Sequence, residues 1–189
     1  MPIDLDLVEW SEFRLESKRL LLVPISYDFE DHFFEEFTDE VSQYMQSKPP
    51  RHLQDTQLYI KVAIQTMARG LSMELVILDK TSLDFLGYVG IHSVDSPYPE
   101  FGIWIKASAH GHAFGLEAID TLKAWAELNL DFEYLRYPVD VRNYPSRRIP
   151  EKLGGIPERN FWVKSENGFE LEIIEYRFYH SKTFHENGG

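Results

Sequence analysis

The sequence predicts an α/β (α+β) protein: one central, mixed but mostly antiparallel sheet with helices on both faces. Two observations predict it. Apolar runs of strand length alternate with longer runs at helical spacing, giving the order β-α-α-β-β-β-α-β-α-β-β. Late in the chain a strand–helix–strand unit also demands one parallel pair inside an otherwise hairpin-connected meander. At 189 residues the chain is long enough for a proper core and is expected to form a single domain over residues 1–189.

The elements follow in order. "RLLLVPI" (Arg19 to Ile25) is a short apolar run that Pro24 should end, hence a strand. "DFEDHFFEEFTDEV" carries Phe29, Phe33, Phe34, Phe37 and Val41 at helical spacing, with the acidic residues Glu30 to Glu40 on its solvated side. After the break at "SKPPRHL", residues Asp55 to Arg69 resume a helix that Gly70 stops. "MELVILD" and "DFLGYVGIHSV" form a hairpin around "KTSLD", and "EFGIWIK" follows the turn "SPYP". A helix over Phe114 to Asn129 buries the stripe Phe114, Ala118, Ile119, Leu122, Trp125 and Ala126. "YLRYPVDV" is a strand, "NYPSRRIPEKLGG" a short helix with a glycine stop, and "NFWVKS" with "ELEIIEYRFY" a closing hairpin around "ENG". The strands at Glu100 to Ile105 and Leu135 to Val141 should be parallel neighbours.

Composition excludes several function classes. A formal charge of −12 argues against a nucleic-acid partner, which needs clustered Lys and Arg, and favours cationic partners such as amines. The chain has no cysteine, so it has no disulfide, thiolate metal site or catalytic thiol. "MPIDLDLVEW" is too acidic for a signal peptide, and no apolar run reaches membrane-spanning length. A cytoplasmic protein without a membrane partner is expected.

Two places ask for more than a fold. The stretch "HGHAFGLEA" (110–118) puts two glycines and two histidines at a strand-to-helix junction, which suits an anion site, a metal site or a plain turn. A metal is not expected, because His110 and His112 have no third ligand at a suitable spacing. The second place is Pro138, which cannot donate to a ladder although its strand should be central. Either Pro138 lies at a bulge or an outward-facing bond, or the parallel strands diverge there and leave backbone groups for an extended ligand.

Together these residues resemble the GNAT superfamily of acyl-CoA-dependent N-acetyltransferases, closest to its ribosomal-protein N-terminal acetyltransferase-like (RimJ/RimL-like) subgroup. The family's phosphate loop, Gln/Arg-x-x-Gly-x-Gly/Ala, falls on His110-Gly111-His112-Ala113-Phe114-Gly115. Glu117-Ala118, Arg19-Leu20, the Glu100-x-Gly102-x-Trp104 strand, and Asn143, Ser146, Glu151, Leu153 and Gly154 match further segments, so the likeness spans nearly the whole chain.

The resemblance implies a splayed parallel strand pair and acetyl-CoA as co-substrate without a metal. It also implies direct transfer to a primary amine, on a small molecule or a protein N-terminus. It implies that Trp104, Ile105, Lys106, the loop His110 to Gly115, Asn143 and Ser146 hold the CoA moiety. Helix-start amides and the helix dipole would receive the pyrophosphate, with Gly111, Ala113 and Gly115 leaving the backbone open to it. His110 and His112 stand where the family often has Arg, Gln or Lys, and add charge only when protonated. Ala113, in place of the first motif glycine, is a mild change if its backbone angles are helical.

The implied chemistry is aminolysis of a thioester. An alkylammonium with a pKa near ~10 must lose a proton before it attacks. The family places a base near Glu100, which reads equally as a structural carboxylate at a strand end. The backbone N–H of Trp104 or Ile105 is the expected oxyanion donor. Pro150 stands where many members carry a general-acid tyrosine, and should shorten or kink its helix. A thiol with a pKa near ~8.5 leaves tolerably without it. Ser146 or Tyr144 could supply a hydrogen bond instead, Ser146 reading equally as a helix cap. A catalytically weak acyl-CoA sensor, transfer of another acyl group, and a protein-interaction module with no CoA site are the other readings. Self-association as a homodimer is also expected.

Overall fold

The computed structural model describes residues 4–180. Its centre is one eight-stranded sheet in the order β1-β2-β3-β4-β5-β6-β8-β7. The strands are β1 (Leu15–Glu16), β2 (Leu20–Pro24), β3 (Ser72–Asp79), β4 (Phe85–His92), β5 (Glu100–Ile105), β6 (Tyr134–Asp140), β7 (Ile156–Lys164) and β8 (Glu170–Tyr179). All neighbours are antiparallel except β5 and β6, which are parallel as the strand–helix–strand unit demands. The short strand β1 was not expected, and β7 begins earlier than "NFWVKS", taking in Pro157 at an irregularity in its pairing with β8.

The helices are α1 (Glu30–Glu36), α2 (Asp39–Ser42), α3 (Leu53–Ala68), α4 (Phe114–Asn129) and α5 (Tyr144–Lys152). The single helix expected over residues 28–41 is instead two, because the Thr38 hydroxyl accepts from the Val41 amide and starts a second one. Helix α3 ends at Gly70, whose φ of 65° suits glycine, and α4 has the bounds its apolar stripe predicts.

Alternation along the strands divides the core. On one face Leu22, Leu75, Ile77, Phe101, Leu135, Tyr137 and Phe178 pack with Ala118, Ile119, Leu122 and Ala126 of α4, all nearly or wholly buried. On the other, Val76, Phe85, Tyr88 and Trp104 meet Phe33 of α1 and Ile60, Ala63 and Met67 of α3. At roughly 1.5–3 kcal/mol per buried large apolar side chain, these two layers dominate the favourable side of folding.

The parallel pair barely pairs. Its only register partners are Glu100 and Arg136, with the Arg136 amide donating to the Pro99 carbonyl at 2.8 Å. Beyond that point β5 and β6 separate. Amides alternate sides along a strand, so position 138 faces the same way as Arg136, toward the opening. The missing N–H of Pro138 is therefore on the splayed side, and the ladder between β6 and β8 loses nothing.

Candidate active site

The splay exposes a backbone edge on β5. The Lys106 amide donates to the Leu86 carbonyl of β4 at 2.9 Å, so the amides of Trp104 and Gly102 also point at β4. Those of Ile105 and Ile103 point into the opening. Of the two expected oxyanion donors, parity thus keeps Ile105 and removes Trp104.

Against this edge lies a cavity of about 630 Å³, walled by the second half of β5, the loop before α4, the start of α5 and the α2 region. Among residues singled out from the sequence, Trp104, Ile105, His110, Gly111, Ala113, Phe114 and Gly115 line it from one side, and Asn143, Tyr144 and Ser146 from the other. Lys106, His112 and Glu100 do not line it. Arg148 and Lys152, one helical turn apart on α5, bring cations to the cavity from "PSRRIPEK", where only their spacing could have signalled it. Tyr44 and Met45 enter from the segment after α2, whose sequence carried no such signal.

The loop before α4 leaves the helix amides open. Gly111 has φ of 82° and Ala113, the N-cap, φ of 59°. The condition under which Ala113 would be a mild change, helical angles, is not met: it is left-handed, a conformation costing about 1–2 kcal/mol for an L-residue. Ala113 offers no side-chain cap, and the one acid in the first turn looks elsewhere. Glu117 accepts from Ser17 Oγ at 2.7 Å and from the amide and Nε of Arg19 at 2.8 and 2.7 Å. Burial opposes its ionisation, but these hydrogen bonds and the charge of Arg19 outweigh that and lower its pKa. Arg19 also donates to the His112 carbonyl at 3.1 Å and lies over the Phe114 ring. Arg19 and Glu117 thus clamp the loop from outside while the helix start stays free for an anion.

The two histidines are tied to backbone. His110 Nε2 donates to the Ile105 carbonyl at 2.8 Å and His112 Nδ1 to the His110 carbonyl at 2.9 Å, since a carbonyl only accepts. Among the described residues no group of three or more His, Cys, Asp or Glu could hold a metal ion. Gly115 has a reason beyond ligand access: a Cβ there would lie 3.2 Å from Ile149 Cδ1 and 3.4 Å from Ile103 Cδ1. Its missing side chain lets α4, α5 and β5 meet.

On α5, Asn143 is the N-cap, its Oδ1 accepting from the Ser146 amide at 3.2 Å. The capping role considered for Ser146 thus belongs to Asn143. Ser146 Oγ instead lies 2.8 Å from the hydroxyl of Tyr137, a buried residue whose pKa burial raises, keeping the phenol neutral. Tyr137 was missed because it alternates with Leu135 and Val139 and reads as core. Tyr144 opens α5 with its ring largely exposed. Pro150 does not break the helix. It sits near the end, where its carbonyl accepts from the Leu153 and Gly155 amides at 3.2 and 2.8 Å.

Glu100 starts β5 on the other face of the sheet, and Arg136 Nη2 lies 3.0 Å from its carboxylate. Behind this pair, buried Glu175 is held by Arg159 and Arg177, each at 2.9 Å.

The sequence and the fold are matched by known proteins. The family model described as the acetyltransferase (GNAT) domain covers residues 19–156. The chain belongs to the GNAT acetyltransferase family. Three solved structures illustrate the fold the GNAT chain shares. A Salmonella typhimurium acetyltransferase, described as modifying the N-terminal serine of ribosomal protein L7/L12, superposes with a TM-score of 0.78 at 13% identity, covering 88% of this chain and 99% of its own. A RimL L7/L12 alpha-N-protein acetyltransferase in complex with coenzyme A gives 0.78 at 13%, covering 88% and 98%. A GNAT-family acetyltransferase from Bacillus anthracis gives 0.75 at 15%, covering 89% and 99%. A search of curated proteins returns no significant match.

Proposed function

We propose that the protein is an N-acetyltransferase that moves an acetyl group from acetyl-CoA to a primary amine by direct attack in a ternary complex. One observation carries this reading: an uncapped helix start and an unpaired strand edge face one cavity, so one extended molecule can put an anion on the first and an amide-bearing arm on the second. The first-turn amides of α4 and the Gly111–Ala113 turn receive the pyrophosphate, with Arg148 and Lys152 supplying charge from α5. The arm runs along Ile103 and Ile105, and the Ile105 amide is the donor for the carbonyl oxygen as it gains charge.

Glu100 takes the proton that the ammonium must lose. Ser146, backed by the neutral Tyr137 hydroxyl, donates to the departing sulfur, and Tyr144 stands at the mouth as the alternative donor. The acceptor class takes in small amines and protein N-termini, the latter matching what the Salmonella relative is described as modifying. A weak acyl-CoA binder is the second reading, favoured by Pro150 in place of the family's tyrosine and by strained Ala113. Thiol release from acetyl-CoA against a panel of amines tests the proposal. Amine-dependent release supports it, while CoA binding without release selects the second reading.

A further inference from the structure

The sheet ends on β7, and among the described residues nothing pairs with the outer side of that strand. The opposite edge, β1, is only two residues long, whereas β7 has nine. A long open edge is a template for another strand, and proteins guard such edges with prolines, bulges and charges. In β7 these guards stop early. Pro157, the irregularity before Arg159 and Arg159 itself all lie in its first half. Residues 160–163 that follow are uncharged and include Phe161, Trp162 and Val163, with Trp162 66% exposed.

Backbone parity identifies the open groups. The Ser165 amide donates to the Phe169 carbonyl at 2.8 Å, closing the hairpin with β8. Amides alternate along a strand, so those of Phe161 and Val163 also point at β8. The N–H and C=O groups of Asn160, Trp162 and Lys164 therefore point away from the sheet, in one row. Side chains alternate between the two faces. Phe161 and Val163 share a face with their register partners Ile173 and Leu171, both buried. Asn160, Trp162 and Lys164 stand on the α4 face, where Ile174, the register partner of Asn160, packs in the α4 layer.

We propose that β7 pairs with β7 of a second copy, antiparallel, about a two-fold axis at Trp162, so that the sheet continues across a homodimer. This interface is independent of the transferase reading. In that register Trp162 opposes its own copy and Asn160 opposes the partner's Lys164, and these are the residues whose backbone groups are open.

The side chains fit the same axis. On the α4 face the two Trp162 rings meet, a contact that aromatic pairs favour. Asn160 Nδ2 donates to Glu172 Oε1 at 3.2 Å, which leaves Asn160 Oδ1 to accept from the partner's Lys164, with the Glu172 carboxylate behind it. On the other face each Phe161 meets the partner's Val163. An axis at Phe161 would instead set Arg159 on Val163 and Asn160 on Trp162; one at Val163 would set Lys164 on Trp162 and Ser165 on Phe161. Matching apolar with apolar and cation with acceptor about one axis is what an isologous contact requires, and a foreign strand would not require it of β7.

The experiment uses the full chain. Sedimentation equilibrium from nanomolar to high micromolar protein should show the mass doubling with concentration. Trp162→Lys, which sets two ammonium groups face to face at the axis, should stay monomeric with its melting temperature little changed. Register is read by cross-linking, because the chain has no cysteine of its own. Asn160→Cys and Lys164→Cys proteins, mixed and oxidised, should give a disulfide-linked dimer, since opposed residues have Cα atoms about 5.5 Å apart, within disulfide reach. Either protein oxidised alone should not, because its two copies of the cysteine lie four residues apart along the strands, about 13 Å. The cross-link keeps Trp162, so it tests the interface even where Trp162→Lys folds poorly. A wild type that stays monomeric at high micromolar concentration overturns the proposal and leaves the edge to a strand of another protein. A dimer that survives Trp162→Lys overturns it as well. Cross-linking of either single protein alone, or none in the mixture, overturns the register.

Discussion

Ala113 holds a left-handed conformation that an L-residue adopts at a cost, in a loop where Gly111 adopts one freely. Replacing Ala113 with glycine should stabilise the protein by about 0.5–1 kcal/mol, less than the strain relieved because glycine loses more chain entropy on folding. Denaturant unfolding checks this, and a loss of stability would show the strain is absent. Glu100→Gln keeps shape and removes basicity, so turnover should fall about 10²–10⁴-fold while acetyl-CoA still binds. The deficit should shrink as pH approaches the amine's own pKa, where free amine needs no base; a deficit constant with pH would contradict the assignment. His92 adds a stability prediction. Burial lowers its folded pKa, but the hydrogen bond and charge of Glu74 and the charge of Glu100 outweigh that and leave it above the ordinary 6.5. Its contribution is therefore fully present below that value and is lost as pH rises through the folded pKa. The melting-temperature gap between wild type and His92→Gln should therefore be widest in mild acid and close toward alkaline pH.

At the scale of elements, the two motif glycines do different work, and one substitution at each separates them. Gly115→Val drives a branched side chain into Ile149 and Ile103, so it should destabilise the junction of α4, α5 and β5 itself, by about 1–3 kcal/mol. A Cβ at Gly111 meets nothing within 4 Å, so the effect of Gly111→Val is backbone strain in the loop and reduced CoA affinity. Relief of the Gly115→Val destabilisation by Ile149→Ala, with no such relief of Gly111→Val, is the expected result, and the absence of any relief in Gly115→Val would refute this division. The elements also show what the sequence carried legibly. Helix α4 announced its bounds because its buried stripe is long and periodic. The α1–α2 break did not, because helical spacing continues across Thr38 while the cap there is a single hydroxyl bond. The left-handed angle of Ala113 was not legible, because identity alone does not reveal φ.

At the scale of the whole molecule, what places the site is one missing strand pairing. Pro138 signalled it from the sequence, and the structure shows β5 and β6 parting just before that residue. The cavity's far wall was legible only in part: Asn143, Tyr144 and Ser146 were singled out, whereas Arg148 and Lys152 on the same helix and Tyr44 from a segment distant in sequence join them through the topology. Tyr137 and the Glu74–Tyr88–His92 cluster, where Tyr88 donates to Glu74 and His92 Nε2 lies 2.9 Å from the same hydroxyl, were hidden for a related reason: each alternates among apolar residues and reads as core until its hydroxyl or ring is seen to face a partner. The account stands on CoA occupying the space between α4 and α5. The most direct measurement is thermal unfolding with and without acetyl-CoA for wild type and Gly111→Val. At a ligand concentration of 100 Kd, wild type should gain about 2.7 kcal/mol of apparent stability and melt measurably higher, with a smaller gain in Gly111→Val. No shift in wild type at millimolar acetyl-CoA, or an equal shift in both proteins, would contradict it.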